Sequence, residues 1–212
     1  MMKIGIIGAT GHVGSFLTEE ALRRGHEVVG IVRNAPKTIV EDNLTFLHSD
    51  LFNLTNENIK DFDVLISAYN APEGEEIQHL AAMKHLVEIL AGTDVRLLVV
   101  GGAGSLYVDA NLTKHLYDTD AFPDTFKPTS INMGKAFDYL QASKDVRWTY
   151  LSPSADFLVN GARTGKYKVG QEQLLIDKYG KSEISMADYA IAMLDEIEAP
   201  EHQQQRYTVC SI

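Results

Sequence analysis

The sequence predicts an α/β fold, a doubly wound parallel sheet with a small C-terminal region beside one of its edges. Three observations carry that reading. The chain opens with an apolar run, Met2-Lys3-Ile4-Gly5-Ile6-Ile7, that leads into glycines at 8, 11 and 14, and an amphipathic segment from Val13 to Arg24 follows at once. Short β-branched runs then alternate with helical segments, the pattern of a parallel sheet covered on both faces. A second run ends in a glycine-rich turn at Gly101-Gly102-Ala103-Gly104-Ser105-Leu106.

The early glycines have separable reasons. Gly8 allows a tight turn, Gly11 lets backbone approach a pyrophosphate, and Gly14 lets helix and strand pack closely. The helix start behind them offers unpaired N–H groups and partial positive charge to phosphates. Strand, turn and helix in this order are what the dinucleotide fingerprint requires. The alternative is an ordinary βα turn with no ligand.

Gly25-His26 reads as a helix stop and Glu27-Val28-Val29-Gly30-Ile31-Val32 as a second buried strand, ending at Arg33-Asn34. The residue about 20 positions past the glycines meets the adenosine ribose in such a sheet. A carboxylate there would bind the 2′-hydroxyl and repel a 2′-phosphate. This chain has Arg33 instead, with Lys37 nearby and no carboxylate until Glu41, so NADP(H) is expected over NAD(H). The competing reading of Arg33 is a solvated loop cation.

Leu44-Thr45-Phe46-Leu47-His48 is a third strand, ending at Ser49-Asp50-Leu51. Asp50 either accepts a hydrogen bond from the adenine amino group or caps the short helix that follows. Asp63-Val64-Leu65-Ile66-Ser67-Ala68 is the fourth strand. Its end, Ser67-Ala68-Tyr69-Asn70, is expected beside the glycine loop, because strand order reverses between strands one and four. Residues 75–91 show helical spacing, with His79 and His85 on the surface and too far apart to share a metal in the i, i+4 manner. Arg96-Leu97-Leu98-Val99-Val100 is the fifth strand, and it brings Gly101 to the same carboxyl edge.

The stretch from Tyr107 to Pro128 has little periodicity and two prolines; a loop of this length after a ligand-facing edge is expected to form a lid. A helix over 129–143, capped by Thr129 or Ser130, and a sixth strand over 146–151 follow. Residues 165–170 and 173–177 look like a small hairpin. Ser185-Met186-Ala187-Asp188 is a capping box that opens a helix through Glu198, Pro200 stops it, and Arg206-Tyr207-Thr208-Val209-Cys210 is a last strand.

The 212 residues, 45% apolar and 23% charged, fit one domain over 1–212. A formal charge of −10 argues against nonspecific binding to nucleic acid or anionic membrane. The lone Cys210 can form no internal disulfide and reads as a small packed side chain. No targeting segment or membrane-length apolar run appears, so the cytoplasm is the expected compartment. No metal site is expected, and the oligomeric state is left open.

The glycine motif, together with Gly101-Gly102-Ala103-Gly104-Ser105, Tyr150-Leu151-Ser152-Pro153 and Ser185-Met186-Ala187-Asp188-Tyr189-Ala190, resembles the atypical short-chain dehydrogenase/reductase proteins. Within them the chain is most similar to the NAD(P)H-binding group named NADH-flavin reductases, relatives of biliverdin reductase B/flavin reductase and of NmrA-like proteins. The resemblance covers essentially the whole chain. It implies a Rossmann fold with substrate-side elements, here mainly in 105–128 and 152–184. It also implies a nicotinamide cofactor with Gly8, Thr10, Gly11, His12 and Val13 around the pyrophosphate and Arg33 at the adenosine end. Hydride transfer to a small flavin-like or quinone-like acceptor such as FMN follows from it as well.

The chain departs from ordinary short-chain dehydrogenases at their Tyr-x-x-x-Lys pair. Lys135 has Ile131 four positions before it, and Tyr139 has Ser143 four after it. Lys135 and Tyr139 share a helix face only in reversed order. Alcohol oxidation by a tyrosinate base is therefore unsupported, as is a sugar-nucleotide epimerase or dehydratase. Hydride transfer to a flavin needs mainly stacking and exclusion of water. Ser105 is the candidate to hydrogen-bond the acceptor or the nicotinamide amide, against a plain turn-capping role. Tyr69, Tyr107 and Phe157 are candidate stacking rings. A non-catalytic NADP-binding redox sensor of the NmrA-like type is the alternative to a reductase.

Overall fold

A computed structural model describes residues 1–34 and 41–212. In chain order its elements are β1 (Lys3–Ile7), α1 (His12–Arg23), β2 (Glu27–Val32), β3 (Leu44–His48), α2 (Asn56–Ile59), β4 (Val64–Ser67), α3 (Gln78–Leu90), β5 (Arg96–Val100) and α4 (Lys127–Ala142). They continue with β6 (Arg147–Ser152), β7 (Asp156–Leu158), β8 (Tyr167–Gly170), β9 (Glu183–Ser185), α5 (Met186–Glu198) and β10 (Gln205–Ser211). The main sheet has eight strands in the order β3-β2-β1-β4-β5-β6-β10-β8, all parallel except the β10–β8 pair. This is a Rossmann-like α/β fold whose winding reverses between β1 and β4, as the sequence predicts.

Side-chain alternation builds two cores from one set of strands. Ile4, Ile6, Val64, Ile66 and Leu98 face a layer that includes Leu17 and Ala21 of α1 and Tyr189 and Met193 of α5. Ile7, Leu65, Leu97 and Val99 face the other layer, with Ala82 and Leu86 of α3 and Phe137 and Leu140 of α4. Both faces are covered, which is why these strands read as continuous apolar runs rather than alternating ones. Cys210 is fully buried and reduced, the packed side chain expected of it.

The later part of the chain differs from its sequence reading. Residues 165–177 do not form a hairpin. Tyr167–Gly170 pairs with β10 instead, Val169 opposite Val209. Asp177 accepts hydrogen bonds from the Tyr179 and Lys181 amides at 2.8 Å each, so its neighbourhood is a side-chain-held turn rather than a strand. A second, two-stranded parallel sheet of β7 and β9 has no counterpart in the sequence reading. Helix α4 begins at Lys127 with Phe126 as its first flanking residue, before the expected caps Thr129 and Ser130, because Pro128 fits the first turn. At α5 only half of the capping box forms. Ser185 Oγ accepts from the Asp188 amide at 3.0 Å, while the Asp188 carboxylate holds the Thr164 and Gly165 amides, both at 2.8 Å.

Candidate functional site

The site follows from the turn after β1. Gly8 has φ +76°, a conformation costly for a side-chain-bearing residue. A Cβ there would also lie 2.9 Å from the Ala68 carbonyl oxygen, and one on Gly14 would lie 2.0 Å from the Gly8 carbonyl oxygen. The Gly11 amide donates to that same oxygen at 2.8 Å and closes the turn. Helix α1 starts from Gly11 with no side-chain cap and no acidic residue in its first turn, so its leading N–H groups and dipole stay available to an anion.

A cleft of about 590 Å³ opens over this turn at the winding reversal, the place where open α/β sheets bind ligands. Gly8, Thr10 and Gly11 form its floor, Arg33 and Asn34 one end, Asp50, Leu51 and Phe52 a side, and Ala68, Tyr69 and Asn70 the opposite wall. Arg33 is exposed and faces the cleft from the tip of β2. Asp50 Oδ1 accepts from the Phe52 amide at 3.0 Å, so the capping role foreseen for it is present while the residue also lines the cleft. The Tyr69 hydroxyl donates to Gln78 Oε1 at 2.8 Å, and its ring meets Phe52 and His79 edge-on at centroid distances of 6.1 and 5.9 Å. Burial pushes the Tyr69 phenol above its ordinary pKa.

Four of the residues expected at a cofactor lie off this lining. His12 is exposed in the first turn of α1, and Val13 packs against the core. Ser67 is buried against a small cavity of about 20 Å³ behind Tyr69, room for about one water. Gly101 answers to packing: a Cβ on it would come within 2.2 Å of the Tyr150 ring. Lys37 lies outside the described residues. His79, expected on the helix surface, is buried, and its Nε2 accepts weakly from the Ala71 amide at 3.4 Å. The helix face that appears polar in sequence is covered here by Tyr69 and the 71–77 approach.

Ser105 sits in a second cluster, on the segment after β5. It is buried; its Oγ accepts from Arg206 at 2.9 Å, and its carbonyl oxygen accepts from Arg206 at 3.2 Å and from His115 Nδ1 at 2.9 Å. His115 stacks on Tyr107 at a 4.4 Å centroid distance. The stretch expected to be a lid is tied down at this end: Leu116 and Tyr117 donate to Leu106 and Gly104, and Tyr107 exchanges two backbone bonds with Glu172 and Leu174. Phe157 packs on Tyr189. Arg206, Glu172 and His115 carry no local sequence signal. The one clue is the charged Arg206 directly before the Tyr207-Thr208-Val209-Cys210 run of the last strand.

Lys135 and Tyr139 do not make a dyad at the cleft, whose lining includes neither. The Tyr139 ring is partly exposed and carries Lys84 Nζ 5.6 Å from its centroid, bridging α3 and α4. Among the described residues no group of three or more His, Cys, Asp or Glu side chains is placed to hold a metal, and no helix is long and apolar enough to cross a membrane.

A dinucleotide fits these residues. The glycine cradle excludes side chains where a pyrophosphate would lie, the helix start presents donors, and a cation faces the adenosine end. Comparison with known proteins agrees. Residues 8–200 match the model of a family described as NAD(P)H-binding. The uncharacterized protein YwnB of Bacillus subtilis is 48% identical over 211 residues, 99% of either chain. A Streptococcus pneumoniae structure named "a putative NADH-flavin reductase" is 39% identical with a TM-score of 0.95, each chain fully covered. A "putative epimerase" from Bacteroides thetaiotaomicron is 36% identical with a TM-score of 0.88, covering 100% of this chain and 97% of its own.

Proposed function

The chain belongs to the NAD(P)H-binding family, and on that premise we propose that it is an oxidoreductase that takes hydride from NADPH in preference to NADH and passes it to a flavin-like or quinone-like acceptor. The observation that carries this reading is the pairing of the glycine cradle with Arg33 at one cleft. Gly8, Gly11 and the first turn of α1 would hold the pyrophosphate, and Arg33 a 2′-phosphate, where a carboxylate would repel it. The bound nicotinamide supplies hydride chemistry. The protein's part is to orient it, exclude water and receive an acceptor beside the strand ends. The name of the S. pneumoniae neighbour supports a flavin-type acceptor. The epimerase name of the B. thetaiotaomicron neighbour is less well supported, since helix α4 has no Tyr-x-x-x-Lys pair.

The test is oxidation of NADPH by the purified protein, followed by its nicotinamide absorbance, with and without FMN, riboflavin and a simple quinone, and with NADH in parallel. Acceptor-dependent turnover, faster with NADPH, is expected. Gly11→Val places new carbons beside the Gly8 carbonyl, which a Cβ already approaches to 3.1 Å, and is expected to weaken NADP binding by about 100-fold, the loss of several phosphate hydrogen bonds. Binding of NADP by calorimetry with no turnover toward any acceptor would replace the reductase with the non-catalytic sensor.

A further inference from the structure

Tyr69, Gln78 and Glu75 all line the cleft, and their hydrogen bonds form a chain that can run in one direction only. Gln78 Nε2 donates to the Glu75 carboxylate, which as an anion can only accept. The Gln78 amide is thereby turned with its oxygen toward Tyr69, and the Tyr69 hydroxyl donates to that oxygen at 2.8 Å. Burial first, and the Asp50 charge second, push the Tyr69 phenol above its ordinary pKa, so the ring keeps its proton at neutral pH. That one proton is committed to Gln78. What the Tyr69 oxygen has left for a ligand is its lone pairs.

The surroundings narrow which ligand group this suits. Arg33 is the one cation among the described residues of the lining, and it marks the adenosine end of the cleft. The charges of Asp50 and Arg33 both reach the Tyr69 phenol, which places Tyr69 at that end too. The Phe52 ring meets Tyr69 edge-on, and Leu51 lines the cleft beside it, apolar surface that suits a flat base. A phosphate oxygen only accepts, and a ribose hydroxyl can turn to donate or accept. An oxygen that only accepts sorts neither of them. It does sort the 6-position of a purine, where an amino group only donates and an oxo group only accepts.

We propose that Tyr69 is a specificity-determining residue that accepts from the 6-amino group of the adenine and rejects a 6-oxo purine in its place, with Gln78 and Glu75 as the positioning residues that fix its polarity. This rests on the reading of the cleft as the dinucleotide site.

The probes are NADP and its deamino analogue, which carries hypoxanthine in place of adenine. Calorimetry on the full chain reads both dissociation constants without turnover. The wild type is expected to bind NADP about 10- to 100-fold more tightly than the analogue, the cost of setting two acceptors against each other. Tyr69→Phe keeps the ring and removes the oxygen. It is expected to weaken NADP about 5- to 10-fold and to leave the analogue within about 2-fold, which shrinks the ratio. Glu75→Gln leaves Tyr69 untouched, but an amide at 75 can donate as well as accept, so Gln78 can turn and free the Tyr69 proton for an oxo group. It is expected to shrink the ratio about 3-fold, chiefly by improving the analogue. Its urea unfolding is expected to be unchanged, because Glu75 is exposed. A role in packing alone would move both ligands together. Equal binding of the two by the wild type, equal losses in Tyr69→Phe, or a ratio that survives both variants would overturn the proposal and leave NADP in the cleft. A wild type that binds neither dinucleotide would instead remove the cofactor reading, and this inference with it.

Discussion

The two edges of the sheet use charge in opposite ways. At the amino edge Arg96, at the start of β5, is buried against Glu196 of α5, and donates to the Glu196 carbonyl at 3.0 Å and to Thr149 Oγ1 at 2.6 Å. Glu196 also accepts from His202 Nδ1 at 2.7 Å and from the Glu201 and His202 amides. Burial pushes the Glu196 carboxyl up, yet the bonds from His202 and Arg96 outweigh it and hold it below the ordinary carboxylate value. The Glu196 carboxylate and both Nη nitrogens of Arg96 have their partners inside the protein, and Arg96 Nε alone lacks one. At the carboxyl edge Arg33 stands exposed over a cleft floored by glycines, with the leading amides of α1 uncapped. Charge that is satisfied internally holds the fold together, and charge left facing a cleft is available to a ligand.

The largest test of that contrast is Glu196→Ala. Removing one partner from a buried pair leaves Arg96 uncompensated and is expected to cost about 3–5 kcal/mol in urea unfolding. Cofactor affinity of the molecules that remain folded is expected to be unchanged, because the network lies at the edge opposite the cleft. A loss of NADP affinity without a loss of stability would erase the distinction between the edges.

Arg33→Ala is the counterpart at the other edge. Its stability change is expected to stay within about 0.5 kcal/mol, as for an exposed surface residue. NADPH affinity is expected to fall roughly 10- to 100-fold, the worth of a charge-assisted hydrogen bond, with NADH affinity nearly unmoved. Equal losses for both cofactors in calorimetry would move Arg33 from the 2′-phosphate to a group the two share, and no loss for either would make it a solvated cation.

The carboxyl edge was the more legible of the two, and the reason is the range of the interactions. The Gly8–Gly14 turn is written within seven residues of chain, and its constraints act on neighbouring backbone atoms, so composition and spacing reveal them. Arg33 was readable because its place is counted along the chain from that turn. The Arg96–Glu196–Thr149 network joins residues 53 and 100 positions apart, and the Arg206–Ser105 contact spans 101; no local pattern encodes such pairs. The β7–β9 pair and the place of β8 escape for the same reason, since three- or four-residue strands take their pairing from whatever strand the fold brings alongside them. At Gly101 the packing requirement is invisible in sequence, because a glycine at a strand end reads alike whether it lies beside a ligand or makes room for the Tyr150 ring.

His79 tests the contrast most finely, since it is a titratable group buried at the open edge. Burial lowers its imidazole pKa from the ordinary value, with Glu76 pulling weakly the other way, and Nε2 accepts from the Ala71 amide only in the neutral form. The folded protein therefore refuses a proton that the unfolded chain accepts once the pH drops below about 6.5. Stability from the neutral ring is fully present above that pH and is lost as acid is added, by up to about 1.4 kcal/mol per pH unit. His79→Gln cannot titrate, so its stability, measured by urea unfolding at about pH 7, 6 and 5, is expected to fall less steeply than that of the wild type. The wild-type decline is also expected to become shallower with bound NADP, if Tyr69 and the 71–78 approach that cover His79 are held by the ligand on their other side. Parallel declines for the two proteins would mean that His79 takes up its proton as readily in the folded protein as in the unfolded chain, so that burial does not keep its ring neutral.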